Sequence, residues 1–398
     1  MSIVKIAENI FWVGVVDWNV RSFHGNTYAT KRGTTYNAYL IIDDKVTLVD
    51  TVYGPFAKEL INNIKEIVDP SKIDNIIMNH VETDHSGALP EVLKLCPKAK
   101  VYGTAKCKEG LYRYYYVDMD FNIVKSGDKL NTGKKTFVFN EAPMLHWPDS
   151  MFTYFKEGGI LFSSDAFGQH YAGDKFFDDE IGDEIIPHAR KYYANILLHF
   201  SPRVQALLKD VAKMNLKLNM ICPDHGIIWR DNPSKIIGAY DKWSRQEPAK
   251  KVVIIFDSMW ESTTKMARSI TSGIESEDVH VRLMNTRKWH RSDIMTEIID
   301  AGAIAVGSPT LNNSIFPVIA DVMTYIKGLR PQNKIAVAFG SYGWSGEAVN
   351  ILNREFAEMK LDIIDEGVKV QYVPDEDDLN RCFDLGVKIA KTLKERLS

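Results

Sequence analysis

The chain has 398 residues, enough for two or three domains that each bury a core. Its 49 basic and 52 acidic side chains leave a formal net charge of −3, so it lacks the positive excess that favours nucleic-acid binding. No window approaches eighteen apolar residues, and the charged amino terminus does not resemble a signal peptide, so neither membrane insertion nor secretion is expected. The four cysteines form no Cys-x-x-Cys pair, which argues against disulfides and iron–sulfur clusters and favours the cytoplasm.

The first part of the chain reads as short strands separated by turns and occasional helices. Apolar runs predict strands over residues 36–42, 46–49, 100–103 and 136–139. Apolar residues at helical spacing predict a helix over residues 56–68, which stops at Asp69-Pro70. The polar stretch 244–251 contains a proline and is the best linker candidate, so we place one domain at residues 1–248 and another at 249–398.

The second part alternates regularly between strands and helices. Strands are predicted over residues 251–257, 279–285, 303–308, 334–340 and 368–373. Helices are predicted over residues 263–274, after Ser292, after Pro317, after Glu347 and from Glu376. Five apolar strands separated by single helices predict an α/β fold with a doubly wound, five-stranded parallel sheet.

The strongest chemical signal is the hexapeptide at residues 80–85, His-Val-Glu-Thr-Asp-His, which follows the apolar run 73–78. If the strand's period of two continued, His80, Glu82 and Asp84 would project to one side, and His85 would turn back toward the same space. Further candidate ligands stand in three separate loops: His146, Asp165 and His225. Seven such residues are better explained by a metal site than by scattered polar groups.

This pattern resembles the metallo-β-lactamase superfamily and, more closely, its flavodiiron branch, over essentially the whole chain. The resemblance implies a metallo-β-lactamase-like αββα sandwich followed by a flavodoxin-like domain. It also implies that one iron ion is held by His80, Glu82 and His146, the other by Asp84, His85 and His225, with Asp165 bridging them. In the hydrolase branches the first motif is His-x-His-x-Asp-His and the usual metal is zinc. Glu82 replaces the second histidine here, and a harder, more anionic site favours iron.

Two more residues resemble positions that face the diiron site in this family. They are His24 and Tyr193, and as hypotheses both would donate hydrogen bonds or protons to a bound oxygen species. A structural role stays open for each of them. For His170 and His188 a structural role is the favoured interpretation.

The loop after the first strand of the second domain, residues 257–263, places hydroxyl groups and backbone amides at the start of a helix, where an anion is stabilised. It resembles the phosphate loop of flavodoxins, although Trp260 replaces the middle hydroxyl residue. Loops 308–313 and 340–346 also follow strands, at the carboxyl ends where doubly wound sheets bind ligands. The predicted FMN contacts are Ser258, Met259, Trp260, Ser262, Thr263, Ser308, Pro309, Thr310, Asn312, Ser341, Tyr342, Gly343 and Trp344. No Gly-x-Gly-x-x-Gly follows a strand, which disfavours NAD and FAD.

An iron pair that cycles between diferrous and diferric states supplies two electrons, and reduced FMN supplies two more. Four electrons reduce dioxygen to two waters, whereas coupling two nitric oxide molecules to nitrous oxide and water needs two. The resemblance therefore implies an oxidoreductase that reduces dioxygen, nitric oxide or both at a non-haem diiron site.

The resemblance also implies a head-to-tail homodimer, or a homotetramer built from two such dimers, with the FMN of one subunit beside the iron pair of the other. Electrons would come from a separate donor, with a rubredoxin and the deazaflavin F420H2 as alternatives. Two other classes stay open, a dinuclear zinc hydrolase with a flavodoxin-like accessory domain and an electron carrier that has lost its metal. Glu82 counts against the hydrolase, and the complete ligand set counts against the carrier.

Overall fold

The computed structural model describes residues 3–213 and 216–398. The described residues cluster into two compact units. The first unit draws on residues 1–23, 30–193 and 200–241, and the second on residues 24–29, 194–199 and 242–398. The linker predicted at residues 244–251 is shorter in the structure. A helix runs to Arg245 and a strand begins at Ala249, so only residues 246–248 connect them. The domain boundary at residue 248 stays a prediction.

The first unit is built from short strands and helices. In chain order its strands are β1 (Val4–Ala7), β2 (Ile10–Trp12), β3 (Val15–Asp17), β4 (Ser22–Phe23), β5 (Tyr28–Ala29, grouped with the second unit), β6 (Thr34–Tyr36), β7 (Tyr39–Ile41), β8 (Val46–Val49), β9 (Ile73–Ile77), β10 (Lys100–Gly103), β11 (Phe121–Ile123), β12 (Lys129–Asn131), β13 (Thr136–Glu141), β14 (Met151–Phe155), β15 (Ile160–Phe162) and β16 (Met220–Cys222). Its helices are α1 (Ala57–Lys65), α2 (Thr83–Ser86), α3 (Leu89–Leu95), α4 (Ala105–Tyr115), α5 (Asp178–Ile181), α6 (Ile185–Tyr192), α7 (Ser201–Lys213) and α8 (Pro233–Arg245), the last of which runs past Asp241. Single 3₁₀ turns occur at Gly54–Phe56, Pro70–Lys72 and Gly182–Glu184.

Two sheets pack face to face in this unit. One has the order β1-β2-β7-β8-β9-β10-β11, and the other has the order β12-β13-β14-β15-β16. Successive residues of a strand point to opposite faces. Tyr39 and Ile41 of β7 therefore join Phe137 and Phe139 of β13 in the core between the sheets, whereas Leu40 packs with the helices on the outer face.

Helices cover both outer faces, which completes the expected αββα sandwich. Helix α1 contributes Leu60 and Ile64 to the core outside the first sheet. On the second sheet, Phe152 and Leu161 share a cavity lining with Leu207 of α7 and Ile237 of α8. Burial of apolar faces on both sides of each sheet supplies the main driving force for this architecture.

The predicted strand at residues 36–42 is interrupted, which corrects the expectation of one continuous strand. Residues 37 and 38 separate β6 from β7, because Asn37 pairs with another loop instead of a strand. Its Nδ2 donates to the carbonyl oxygens of Pro223 at 2.7 Å and Gly226 at 3.0 Å. Its Oδ1 accepts from the indole of Trp12 at 2.7 Å. The break therefore fixes the loop that carries His225.

The second unit contains the predicted doubly wound sheet. Its strands are β17 (Ala249–Phe256), β18 (His280–Asn285), β19 (Ala301–Gly307), β20 (Thr310–Leu311), β21 (Ser314–Ile315), β22 (Ile335–Tyr342), β23 (Asp362–Ile363) and β24 (Val368–Gln371), and its helices are α9 (Ser262–Glu275), α10 (Arg291–Ile298), α11 (Pro317–Leu329), α12 (Ala348–Glu358) and α13 (Glu376–Leu397). A π turn (Tyr193–Leu197) and a 3₁₀ turn (Leu198–Phe200) fall largely in the 194–199 segment that groups with this unit.

The parallel sheet has the order β18-β17-β19-β22, and the fifth position is shared by two short strands. Strand β23 pairs with residues 335–336 and β24 pairs with residues 339–342 of the same neighbour. The prediction of five parallel strands is thus confirmed, with the edge strand in two pieces. Among the described residues, no helix combines the length and the apolar character that crossing a membrane requires.

Candidate functional site

The predicted metal ligands lie where several strands of the first unit end. His80 follows β9 and Asp165 follows β15, while His225 follows β16 and His146 lies in the connection from β13 to β14. Loops from both sheets therefore meet at one end of the sandwich. His80 and His225, which are 145 positions apart in the sequence, come together there because the strands that precede them end at the same end of the sandwich.

The motif itself bends after Glu82. Glu82 is extended (φ −54°, ψ 144°), and the next four residues form the helical turn α2. The expectation that a period of two continues to Asp84 is therefore wrong, because the backbone amides of His85 and Ser86 donate to the carbonyl oxygen of Glu82 at 3.0 and 2.9 Å. The turn separates Glu82 from Asp84 and directs them to different neighbours.

The seven predicted ligands form two compact groups whose candidate ligand atoms lie within 4.8 Å of one another. The first ligand group is His80, Glu82, His146 and Asp165, and the second ligand group is Asp84, His85 and His225. In the first group, Nε2 of His146 is 3.2 Å from Oε2 of Glu82 and 3.0 Å from Oδ2 of Asp165. In the second group, Nε2 of His225 is 3.1 Å from Oδ2 of Asp84.

Asp165 lies between the two groups. Its Oδ2 faces the first group, 3.4 Å from Nε2 of His80. Its Oδ1 faces the second group, 3.2 Å from Nε2 of His85 and 3.5 Å from Nε2 of His225. A carboxylate that offers one oxygen to each side can join two metal ions that are roughly 3.5 to 4 Å apart.

Outer contacts orient two of the histidines. Nδ1 of His80 lies 3.1 Å from Oδ2 of Asp149, which also accepts from the backbone amide of Val81 at 2.7 Å. Nδ1 of His225 lies 2.6 Å from the carbonyl oxygen of Thr35, which can only accept. Both contacts place the proton on Nδ1 and leave the Nε2 lone pair for a metal, the usual arrangement for metal-binding histidines. Sequence reasoning missed Asp149, although an acidic residue three positions after His146 was a usable signal.

Burial and charge act in opposite directions on these groups. Burial alone would lower the pKa of His85, but the carboxylates of Asp84, Asp165 and Asp224 outweigh it, so the pKa is raised well above the ordinary histidine value. Burial would raise the pKa of Asp165, but the imidazoles of His85 and His146 outweigh it and hold that pKa well below the ordinary aspartate value. The cluster is thus an anionic site that stabilises positive charge.

The second unit carries a cavity of about 400 Å³ at the carboxyl ends of its strands. Ten predicted FMN contacts line it: Met259, Trp260, Ser262, Pro309, Thr310, Asn312, Ser341, Tyr342, Gly343 and Trp344. Its volume is in the range of small-molecule sites. Trp260 and Trp344 are both 84% exposed, so at least one face of each indole is open to solvent.

Three predicted FMN contacts do not line this cavity. The hydroxyl of Ser308 accepts from the backbone amide of Phe316, and that of Ser258 accepts from the amide of Thr264 at 3.4 Å. The hydroxyl of Thr263 lies 2.8 Å from that of Ser341. These three hydroxyls hold the loops together, and a direct FMN contact for them stays a prediction.

The lining residues missed by sequence reasoning are Leu311, Asn313, Ser345, Tyr372 and Val373. The last two follow the fifth strand, so the rule that ligands bind at carboxyl ends would have found them.

Comparison with known proteins identifies the families to which the two parts of the chain are similar. Residues 34–226 match the family described as ODP family beta lactamase, and residues 254–386 match the flavodoxin family. A nitric oxide reductase from Moorella thermoacetica is 48% identical over 98% of this chain and 99% of its own. The solved structure of rubredoxin oxygen:oxidoreductase from Desulfovibrio gigas is 41% identical, with a TM-score of 0.98 and full coverage of both chains. That of the flavodiiron protein from Giardia intestinalis is 35% identical, with a TM-score of 0.96 over 99% of this chain and 97% of its own.

The chain belongs to the flavodiiron protein family. It is an oxidoreductase of that family, and its cofactors are FMN and two non-haem iron ions. The donor set fits iron, because four imidazoles and three carboxylates combine intermediate and hard ligands. Both oxygens of Asp84, both ring nitrogens of His85 and Oδ2 of Asp165 are buried and make no well-angled hydrogen bond, although ligand atoms lie nearby. Such atoms are expected where metal ions complete their coordination.

Neither of the two proposed pocket residues of this flavodiiron protein is a member of the two ligand groups. His24 is exposed and groups with the second unit. The hydroxyl of Tyr193 lies 3.0 Å from that of Ser201, whereas the adjacent Tyr192 donates to Oδ1 of Asp165 at 2.8 Å. Tyr192 therefore contacts a candidate ligand, and catalytic roles for His24 and Tyr193 stay predictions.

The two histidines expected to be structural differ in position. Ring centroids of His170 and His225 are 4.8 Å apart, and Nδ1 of His170 lies 2.8 Å from the hydroxyl of Thr34. His188 instead packs against Tyr171, with ring centroids 5.1 Å apart. The ring of His170 thus packs against the ring of His225, a candidate ligand. The ring partner of His188, Tyr171, is not a candidate ligand.

Proposed function

We propose that this flavodiiron protein reduces dioxygen to water, nitric oxide to nitrous oxide, or both, with electrons that pass through FMN. The single observation that carries this proposal is the position of Asp165, which offers one carboxylate oxygen to each ligand group. An iron pair and a reduced FMN each supply two electrons. A chain with a site for each can therefore support a reaction that needs two or four electrons.

Each of the seven residues has a proposed role. His80, Glu82 and His146 would hold one iron ion, Asp84, His85 and His225 would hold the other, and Asp165 would contribute an oxygen to each. When bound, the iron pair would provide two electrons for reduction of the gas, and FMN would provide the electrons that reduce the iron again. Asp149 and the carbonyl oxygen of Thr35 keep His80 and His225 in the tautomer that leaves Nε2 available. Glu82 supports iron over the zinc hydrolase alternative.

The electron donor and the assembly are also part of the proposal. We favour a rubredoxin as donor, since a similar protein from Desulfovibrio gigas is named for one, and keep F420H2 as the alternative. We further propose a homodimer, or a homotetramer of two dimers, that works in the cytoplasm. In such a dimer the FMN of each subunit would lie beside the iron pair of its partner. Electrons could then pass from FMN to iron at two places in the dimer.

The test is a reaction of the purified full chain. Iron, zinc and FMN are measured per chain, and the protein is reduced without oxygen and mixed with nitric oxide or dioxygen in separate trials. Rapid consumption of either gas by a protein with about two iron ions and one FMN is expected. Two zinc ions per chain with esterase or lactonase activity would instead establish the hydrolase.

Two ligand variants complete the test. His146→Asn and Asp165→Ala should abolish gas reduction and leave the FMN content unchanged, because the flavin pocket is lined by residues of the second unit. Full gas-reducing turnover in either variant would show that the ligand assignment is wrong.

A further inference from the structure

A buried carboxylate stands directly before the phosphate loop of the second unit. Asp257 follows β17 and is fully buried, and the next residue, Ser258, begins the loop that leads into α9. Residues 257–263 include Asp257 and Glu261 and no basic residue. The dianionic phosphate of FMN would thus approach a loop whose own charges are negative, and like charges at short range repel each other strongly where water is excluded.

Arg287 pairs with this carboxylate. Its Nε donates to Oδ1 of Asp257 at 2.9 Å, and its Nη2 donates to the carbonyl oxygen of Ser258 at 2.6 Å. The remaining oxygen of Asp257, Oδ2, accepts from the hydroxyl of Thr286 at 2.7 Å. Every oxygen of the carboxylate is therefore engaged, and one guanidinium joins the carboxylate to the first backbone carbonyl of the loop.

The fold brings these residues together from adjacent strands. Phe256 at the end of β17 is paired with Asn285 at the end of β18, and the amide of Thr286 donates to the carbonyl oxygen of Phe256 at 3.0 Å. The amide of Arg287 donates to the side chain of Asn285 at 2.9 Å, which fixes the turn that carries the guanidinium. The side chain of Arg287 is 58% exposed and that of Asp257 is 1% exposed. A half-exposed cation thus covers a buried anion at the ligand-binding edge of the sheet.

We propose that Arg287 is a positioning residue for FMN, which offsets the charge of Asp257 and fixes the start of the phosphate loop so that the loop accepts the phosphate. This inference rests on the proposed function in taking FMN as the ligand. It concerns the phosphate end of the cofactor and not the flavin ring. Riboflavin, which has the same ring without the phosphate, therefore separates the two effects.

The test measures the affinity of the flavin-free full chain for FMN and for riboflavin by the change in flavin fluorescence. Arg287→Met should weaken FMN binding by about tenfold or more, because it leaves a buried charge without its partner beside an anion site, and it should leave riboflavin binding unchanged. Asp257→Asn with Arg287→Met removes both charges and should restore FMN affinity to within about threefold of the unaltered chain. Asp257→Asn alone leaves an unopposed guanidinium and should tighten FMN binding.

A matched control is Lys250→Met, which breaks a cation–aspartate pair with Asp278 (3.3 Å) at the opposite end of the same strand. It should leave both affinities unchanged. Equal FMN affinity in Arg287→Met and Lys250→Met would overturn the inference, as would equal weakening of FMN and riboflavin or a double variant as weak as the single one. If Arg287→Met does not fold, an unchanged FMN affinity in Asp257→Asn overturns it. Failure of the unaltered chain to bind FMN would overturn the proposed function itself.

Discussion

The hydroxyl of Tyr192 donates a hydrogen bond of 2.8 Å to Oδ1 of Asp165, the carboxylate that lies between the two ligand groups. Both residues are buried, so this bond does not compete with solvent. Burial and the charge of Asp165 together raise the pKa of Tyr192 well above the ordinary tyrosine value, and the hydroxyl therefore stays a donor at any physiological pH. The bond fixes which oxygen of Asp165 faces which group.

Tyr192→Phe should reduce gas-reducing turnover by about tenfold, because loss of an outer contact to a metal ligand typically costs 10- to 100-fold in activity or metal affinity. Iron content and turnover are measured on the same preparation. The adjacent Tyr193→Phe is the matched control, since its hydroxyl lies 3.0 Å from that of Ser201. Greater loss in Tyr193→Phe than in Tyr192→Phe would support the assignment made from the sequence and contradict the one made from the structure.

Glu82→His recreates the His-x-His-x-Asp-His motif of the hydrolase branches. Replacing a hard carboxylate by imidazole should shift the metal preference of the first ligand group from iron toward zinc. Protein produced in medium with equal iron and zinc should contain more zinc per chain than the unaltered protein, as measured by elemental analysis. An unchanged ratio of iron to zinc would show that Glu82 does not set the preference.

Gly340→Ala should weaken FMN binding. A Cβ at this position would lie 2.3 Å from the carbonyl oxygen of Ser308, so the backbone of a loop that lines the flavin cavity would have to move. We expect a loss of about 1–3 kcal/mol in the free energy of unfolding and a weaker FMN affinity. Gly328→Ala is the control, since its Cβ would have no neighbour within 4 Å, and it should stabilise α11 by up to about 1 kcal/mol. Equal FMN affinity in the two variants would contradict the steric argument.

Lys334→Met should stabilise the protein at neutral and acidic pH. Burial lowers the pKa of Lys334 from 10.5 to about 7 in the folded chain, where Nζ donates to the carbonyl oxygen of Ile299 at 3.2 Å. Below pH 7 the folded chain must hold a buried charge, and the full penalty applies. Above 10.5 the amine is neutral in both states and the penalty vanishes.

The free energy of unfolding should therefore rise between about pH 7 and about pH 10.5 more steeply in the unaltered chain than in Lys334→Met. Denaturant titrations at several pH values measure it. Lys391→Met is the control, since that side chain is 60% exposed. Parallel pH profiles for all three proteins would show that Lys334 is not held neutral by burial.

The sequence predicted the parallel sheet well because each of its strands is an apolar run buried on both faces, and periodicity reports such burial directly. It also identified all seven residues of the ligand groups, because imidazoles and carboxylates that follow apolar runs are conspicuous. The broken strand at Asn37 was missed, since a polar residue whose partners are loop carbonyl oxygens leaves no periodic signal.

By itself, the sequence determined the order of the strands and helices in the second unit and the chemical types of the ligands, because these depend on local patterns of burial and on residue identity. The tertiary structure decided that a helical turn separates Glu82 from Asp84, that Tyr192 donates to Asp165, and that Arg287 pairs with Asp257. Each of these relations depends on the direction in which a turn points a side chain, or on which strands end next to each other in the fold. Such relations arise from packing across the whole fold, and no local stretch of the chain contains them.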